Sequence, residues 1–412
     1  MAERILTSHA GSLPRPDALI ELNRRRFDGE PVDDQDYAEH LQAATVEVVA
    51  RQHEIGIDLP NDGEYGHAMG SKVDYGAWWS YIFGRLGGLG LWTGMADVPS
   101  RPPTSTIALG TFMQRRDWNR FADAYGDPES GAAASAKSTA DDEPEIGMML
   151  PVCDGPLAYT GQAQVARDIA NLKKGMAAAG VERAFMCSLG PGSASRMGNS
   201  HYATEEEFVW ACAEVLREEY LAITGAGVVV QIDEPSFAEN WDQFPTEPSL
   251  EDYRAFTMLR VEALNHALRG IPRELTRFHC CWGSWHGPHS TDIPMADLID
   301  MLLTIEVGSY SFEAGNARHE HEWRVWQDRK IPDDIVLVPG VVGHATNVLE
   351  HPELVADRVE RFARIVGPDR VIAATDCGLG GRIHPQIAWA KLETLAMGAE
   401  VASHRLAGRL SS

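Results

Sequence analysis

No apolar run in this chain approaches the roughly 20 residues that a membrane-spanning helix requires, so the sequence gives no reason to place it in a bilayer. Basic charge is short: 36 Lys and Arg stand against 60 Asp and Glu, for a net charge of −24. That balance argues against nucleic acid or an anionic membrane surface as a partner. It says little about a small-molecule site, where local charge decides. Cysteine is scarce, six in 412 residues, which is not a disulfide framework. Cys153, Cys187 and Cys212 read as small buried hydrophobes. The opening MAERILTSHAGSLPRP lacks the basic, apolar and small-residue layout of a signal peptide, and a cytoplasmic location is the expectation. No G-x-G-x-x-G follows an early strand, which disfavours an open dinucleotide-binding sheet.

What is present is alternation. Short apolar runs at 5–12, 55–64, 146–155, 183–190, 228–235, 275–282, 307–314, 335–342 and 371–378 read as strands. Between most of them lie helical patterns such as DYAEHLQAATVEVVARQHEIG, TEEEFVWACAEVLREEYLAITG, EDYRAFTMLRVEALNHALRG and PELVADRVERFARIVG. The last has Pro at its start and Gly at its end, as helix punctuation predicts. Repeated β–α alternation means a parallel sheet, and eight repeats mean a (β/α)8 TIM barrel. Nine candidate strands are one too many, so at least one lies outside the barrel. Residues 65–145 break the rhythm, first with YGAWWSYIFGRLGGLGLW and then with small and polar residues. They read as an insertion after the second strand of a single barrel domain covering 1–412. The Trp78-Trp79 pair and the GGLG run suit either a lid over the site or a contact in a homo-oligomer.

Chemistry gathers at strand ends. Ser12, Glu64, Asp233, Cys281, Glu313 and Cys377 all fall at or near the C-terminal end of a candidate strand, the face on which a barrel builds its active site. In RFHCCWG, His279 and Cys281 are two apart, so on a strand both point the same way. Cys280 points to the opposite face, toward the layer between strands and helices. With Glu313 in YSFEAGN and Cys377 in AATDCGLG they form a set of two thiolates, one imidazole and one carboxylate. Such a set suits zinc better than magnesium or calcium.

Other residues carry open alternatives. Asp233 and Glu234 end the apolar strand VVVQIDEP, and buried carboxylates there need a partner, either a substrate ammonium or an Arg. Glu64 in NDGEYGH reads the same way. His344 in PGVVGHATN is either a core histidine or a proton donor to a leaving group. NARHEHEW reads as a polar helix start, because helical residues two apart point to different sides. Arg318 there is a candidate for an acidic group of the substrate. WGSWHGPHS supplies further histidines in a loop.

Together these residues resemble the cobalamin-independent methionine synthase family, and most closely its short single-barrel members. The resemblance runs from about residue 5 to about 400. It implies a (β/α)8 barrel with a catalytic zinc on His279, Cys281, Glu313 and Cys377. It also implies a homocysteine site. Ala10-Gly11-Ser12 matches the family's IGS, placing Ser12 on the substrate carboxylate. Asp62-Gly63-Glu64 matches its HGE, and Gln231 to Pro235 its QIDEP, so Asp233, helped by Glu64, holds the ammonium. The proton-donating histidine falls on His344. Two departures stand out: there is no room for the second, N-terminal barrel of full-length members, and the stretch 188–202 lacks the Trp that lies under the pterin ring. The expected function is zinc-dependent methyl transfer to homocysteine from a 5-methyltetrahydrofolate-type donor. The alternative is the chemistry of the related epoxyalkane:coenzyme M transferases, addition of a thiol to an epoxide. In either case the partners are a small-molecule thiol and an alkyl donor, and Glu313 is expected to yield its place when the thiol binds.

Overall fold

The computed structural model describes residues 4–67, 80–92, 107–110, 114–127, 129–132 and 150–410. Its frame is a parallel sheet of seven strands. In chain order these are β1 (Leu6–Thr7), β4 (Phe185–Leu189), β6 (Val229–Asp233), β7 (Thr276–Cys280), β8 (Ser309–Glu313), β9 (Val336–Val342) and β10 (Ile372–Thr375). Their spatial order is β1-β10-β9-β8-β7-β6-β4. The strands are short, and most of their residues are buried on both faces. That is why they appear in the sequence as apolar runs rather than alternating ones.

The helices that return the chain carry the signals expected of them. Helix Asp34–Glu54 is capped by Asp33, which accepts from the backbone N–H of Gln35 and Asp36. Helix Glu205–Gly225 is capped by Thr204 and helix Leu250–Ala267 by Ser249. These caps satisfy amides that the first turn leaves open. Helix Pro352–Val366 starts on Pro and is followed by Gly367 at φ 92°, a conformation that favours glycine.

Two of the nine sequence runs depart from the main sheet. The run at 146–155 overlaps β3 (Leu150–Tyr159), which pairs antiparallel with β2 (Leu86–Trp92) and parallel with β5 (Gly198–Asn199) in a separate three-stranded sheet. The run at 55–64 forms no regular strand. It nevertheless lies between the two sheet edges: Leu59 N–H donates to Thr7 O at 3.0 Å, and Phe185 N–H donates to Pro60 O at 3.1 Å.

A buried polar knot ties the small sheet to the large one. Glu219, on helix Glu205–Gly225, accepts from Tyr81, Tyr159, Ser188 and Arg85, and Arg85 also pairs with Asp168 at 2.6 Å. Every charge in it has a partner, which buried ions require. Trp78 and Trp79 lie outside the described residues, while the GGLG run lies within β2. Among the described residues, no helix is long and apolar enough to cross a membrane.

Candidate metal and substrate site

The strand register lines up the chemistry. Asp233 of β6 pairs with His279 of β7, and His279 with Ser311 of β8. Glu313, one row higher, pairs with Gly340 of β9. Neighbouring strands lie about 4.8 Å apart, so side chains from separate strands can gather in one place.

His279, Cys281 and Cys377 converge, with one ligand atom from each within 4.8 Å of the others. All three are buried. Ser311 Oγ is 2.9 Å from His279 Nδ1, which leaves Nε2 facing the site, and Nε2 has no hydrogen-bond partner although it is buried. An imidazole fixed at one nitrogen and open at the other is the arrangement a metal ligand needs. The hydrogen bond from Cys281, helped by Arg382, His279 and His344, holds the Cys377 thiol well below its ordinary pKa despite burial. That same bond and burial push the Cys281 thiol up. Cys280 faces the hydrophobic core instead, as the alternation of strand side chains predicts.

Glu313 stands beside this triad rather than within it. Its Oε1 accepts from Trp282 N–H at 2.9 Å and its Oε2 from Asn316 Nδ2 at 2.6 Å. Burial pushes its carboxyl up to about 8. Asn316 also donates to Asp376, whose Oδ1 accepts from the N–H groups of Ala314 and Gly315. Asp376 thereby links the turn after β8 to the one that carries Cys377.

A second group is Glu64, Cys187 and Asp233, again with ligand atoms within 4.8 Å of one another. Asp233 Oδ1 accepts from Gln231 Nε2 at 2.7 Å. Burial and the charge of Glu64 raise the Asp233 carboxyl well above its usual range. Burial works the same way on Glu64, but His67, Arg15 and Cys187 outweigh it and hold Glu64 below its ordinary value. Gly11 makes this crowding tolerable. A methyl carbon there would sit 2.1 Å from Glu64 Oε1 and 2.7 Å from Cys187 Sγ, and its φ is 132°. Read from sequence, Cys187 is a small buried hydrophobe; it is buried, but its place in this group is not foreseen. Its place on the wall beside Asp233 follows from the pairing Cys187↔Gln231, which composition does not reveal.

Ser12 lies between the two groups. Its carbonyl accepts from the N–H of Leu379 and Gly380, and Arg382 Nη1 is 3.5 Å from its hydroxyl. Gly378 has no room for a side chain, since a methyl carbon would meet Ser12 Oγ at 2.2 Å. Arg382 is a second residue the sequence reading passed over. Glu234 turns away from the cavity and is satisfied by Gly192 N–H, Ser193 and Ser236. His344 follows β9 and is buried, and neither ring nitrogen has a hydrogen-bond partner. Burial lowers its pKa to about 3, so the ring is neutral. Arg318 is exposed.

The two histidine-rich motifs meet each other. Asp292 lies between His289 (3.3 Å) and His319 (3.1 Å), and His319 also contacts Glu322 at 2.8 Å. Burial opposes the charge on His319, but the bonds to Asp292 and Glu322 prevail and push it up to about 10. Its ring stacks on Trp282, with centroids 3.9 Å apart, so this imidazolium braces the residue that follows Cys281.

No family model matches the chain. It is 26% identical over 237 residues to the 2-hydroxypropyl-CoM lyase of Xanthobacter autotrophicus, covering 50% of this chain and 58% of that protein. It is 26% identical over 210 residues to a methionine synthase of Thermococcus kodakarensis, covering 51% of this chain and 54% of that one. The match thus spans only about half the length of these relatives. In fold it resembles the B12-independent methionine synthase of Shewanella sp. W3-18-1 solved with selenomethionine, with TM-score 0.67 and 20% identity over 98% of this chain and 100% of that one. Over about half of its length the chain is thus similar in sequence to proteins named methionine synthase and 2-hydroxypropyl-CoM lyase, and it shares the fold of a B12-independent methionine synthase.

Proposed function

We propose that this chain is a zinc-dependent thiol alkyltransferase that methylates homocysteine, with a 5-methyltetrahydrofolate-type donor. One observation carries the reading: a group of soft metal ligands and a group that includes two carboxylates lie on adjoining strands, with Asp233 and His279 paired across them. A catalyst that alkylates an amino-acid thiol needs those two functions side by side.

His279, Cys281 and Cys377 would hold the zinc, with Glu313 as a fourth, exchangeable ligand. When bound, the ion would lower the pKa of the substrate thiol and keep its sulfur nucleophilic. The chain's own residues do the rest. Glu64 and Asp233 grip the ammonium, and Ser12 and Arg382 face the carboxylate. Glu313 is already held by Trp282 and Asn316, so it has a resting place when the thiol arrives. The sulfur attacks the methyl carbon, the carbon–nitrogen bond of the donor breaks, and the leaving nitrogen takes a proton from His344. Because burial keeps His344 neutral, it would first take up a proton from solvent, equivalent to the one the substrate thiol releases, and then pass it to the leaving nitrogen. The framework we infer is a closed (β/α)8 barrel forming one domain over 1–412, with 57–61 as the eighth stave. Its support is the pair of backbone hydrogen bonds reaching from that segment to both sheet edges.

A second reading is favoured by the kinship with 2-hydroxypropyl-CoM lyase, the addition of coenzyme M to an epoxide. Coenzyme M has a sulfonate and no ammonium, so Glu64 and Asp233 would face nothing of opposite charge. The discriminating experiment is calorimetric titration of the zinc-loaded protein with L-homocysteine and with coenzyme M, following proton release. Homocysteine binding with proton release supports the methyltransferase. Binding of coenzyme M alone selects the epoxide chemistry, and binding of neither overturns both.

A further inference from the structure

Part of the insertion returns to the metal corner, and the mechanism above makes no use of it. Helices Arg116–Arg120 and Ala122–Gly126 pack on the loop that leaves β7 directly after Cys281. Asp117 is the joint. It is fully buried, and its carboxylate accepts from Ser290 N–H at 2.8 Å, Ser290 Oγ at 2.6 Å, Tyr125 Oη at 2.7 Å and His289 N–H at 3.2 Å. Those bonds take up the acceptor capacity of both oxygens, and all but the one from Tyr125 come from the β7 loop. We propose that Asp117 is a positioning residue: it fixes the β7 loop as a wall over the metal ligands, and that wall limits which alkyl donor reaches the reacting sulfur. The role in donor choice rests on the proposed thiol alkyltransferase; the wall itself does not.

The loop is built to be held. Trp282 Nε1 closes its foot by donating to Ile293 O at 2.7 Å. Trp285 stacks on His289 with centroids 4.0 Å apart, and its Nε1 donates to Tyr125 Oη at 2.8 Å. The Arg115 guanidinium lies 4.6 Å from the centre of the Trp285 ring and pairs with Glu239. The backbone of His289 has φ 52°, a conformation that a residue with a Cβ keeps only where its surroundings fix it. The bond from its N–H to Asp117 is such a restraint. Asp117 N–H in turn donates to Asp242 Oδ1 at 3.0 Å, which also accepts from Thr291. Insertion, helix Ser236–Gln243 and β7 loop thus share one polar seam.

Topology sets where the wall stands. β7, β8 and β9 are neighbours in the sheet. The backbone carbonyl of His344, after β9, accepts from the His286 ring. The loop therefore crosses the end of β8, where Glu313 stands. Glu64, Cys187 and Asp233 gather on the other arc, beside β4 and β6. The wall thus faces the proposed thiol clamp across the metal ligands, on the side of the histidine assigned to the leaving group.

The test is alkylation of the metal-free full chain with iodoacetamide and with the bulkier N-phenylmaleimide, each cysteine followed by peptide mass spectrometry. Asp117→Asn sets an amide donor against donors. N-phenylmaleimide should then label Cys281 and Cys377 about 10-fold faster than in wild type, while Cys212, in the core of helix Glu205–Gly225, keeps its wild-type rate. Tyr125→Phe removes the hydroxyl between Asp117 and Trp285 and should give the same pattern in smaller measure. It decides the matter if Asp117→Asn does not fold, judged by circular dichroism. No rise at Cys281 and Cys377, or an equal rise at Cys212, overturns the wall. In the zinc-loaded chain, Asp117→Asn should bind L-homocysteine as wild type does and show a KM for 5-methyltetrahydrofolate raised about 10-fold. An unchanged KM for that donor removes the role in donor choice. Failure of wild type to bind homocysteine counts against the amino-acid reading and leaves the wall to the alkylation rates.

Discussion

Cys377 and Cys187 line the same cavity, yet their neighbours drive them to opposite states. Cys377 receives a hydrogen bond from Cys281 and faces Arg382, and its thiol is pulled well below the ordinary range. Cys187 is buried against Asp233 and Glu64, and its thiol is pushed well above it. Burial pushes both thiols up; what separates them is the hydrogen bond and the Arg382 charge that Cys377 meets, where Cys187 meets two carboxylates. One corner is prepared for a nucleophilic sulfur and the other for a positive charge.

The largest way to break this comparison is Cys377→Ser. We expect loss of stoichiometric zinc together with a fall in kcat/KM of more than about 100-fold, beyond what loss of an outer-shell partner costs. A variant that still binds one equivalent of zinc tightly would remove Cys377 from the ligand set. Next comes Asp233→Asn, which leaves the metal corner intact. It should retain zinc and raise KM for the amino-acid thiol by about 10- to 100-fold, roughly the 1.5–3 kcal/mol of a hydrogen bond to a charged group. An unchanged KM would separate the carboxylate corner from substrate.

His319→Gln tests the brace behind the metal corner. The folded value of about 10 lies above the ordinary 6.5, so the contribution is complete below about pH 6.5 and is lost as the pH rises through about 10. The melting temperature of the variant should therefore fall furthest below wild type just below pH 6.5, and the gap should close toward pH 10. A gap independent of pH would mean that the ring acts by packing alone. Smallest is Cys280→Ala, the control for strand parity. It should cost about 1–2 kcal/mol of stability as a small core truncation, with zinc content unchanged, measured by denaturant unfolding and metal analysis.

The parity argument shows what a sequence can disclose. Period two placed His279 and Cys281 on one side and Cys280 on the other without any knowledge of neighbours, and helix caps at Asp33, Thr204 and Ser249 mark boundaries from local chemistry. Strands at 183–190, 228–235, 275–282, 307–314 and 335–342 are legible for the same reason: two-sided burial leaves an apolar run. The run at 146–155 carries the same local signal, and only pairing with β2 reveals that it serves another sheet. Register is likewise non-local. Nothing near Cys187 in sequence foretells Glu64, which is brought in by a different segment with a backbone φ of 60°. Glu313 was read as a ligand from its strand end, and its bonds to Trp282 and Asn316 depend on two loops whose meeting no spacing encodes.

β1 is paired with β10, and the Ser12 carbonyl is fastened to Leu379 and Gly380. During synthesis, then, the residue that begins this cavity waits for a partner that leaves the ribosome more than 360 residues later. Contacts of such long separation close late and slowly. A nascent chain can assemble most of the parallel sheet and still possess neither Cys377 nor the neighbour of β1. The seam where beginning meets end acts as a timer: the site is assembled only once the chain through Gly380 has been made.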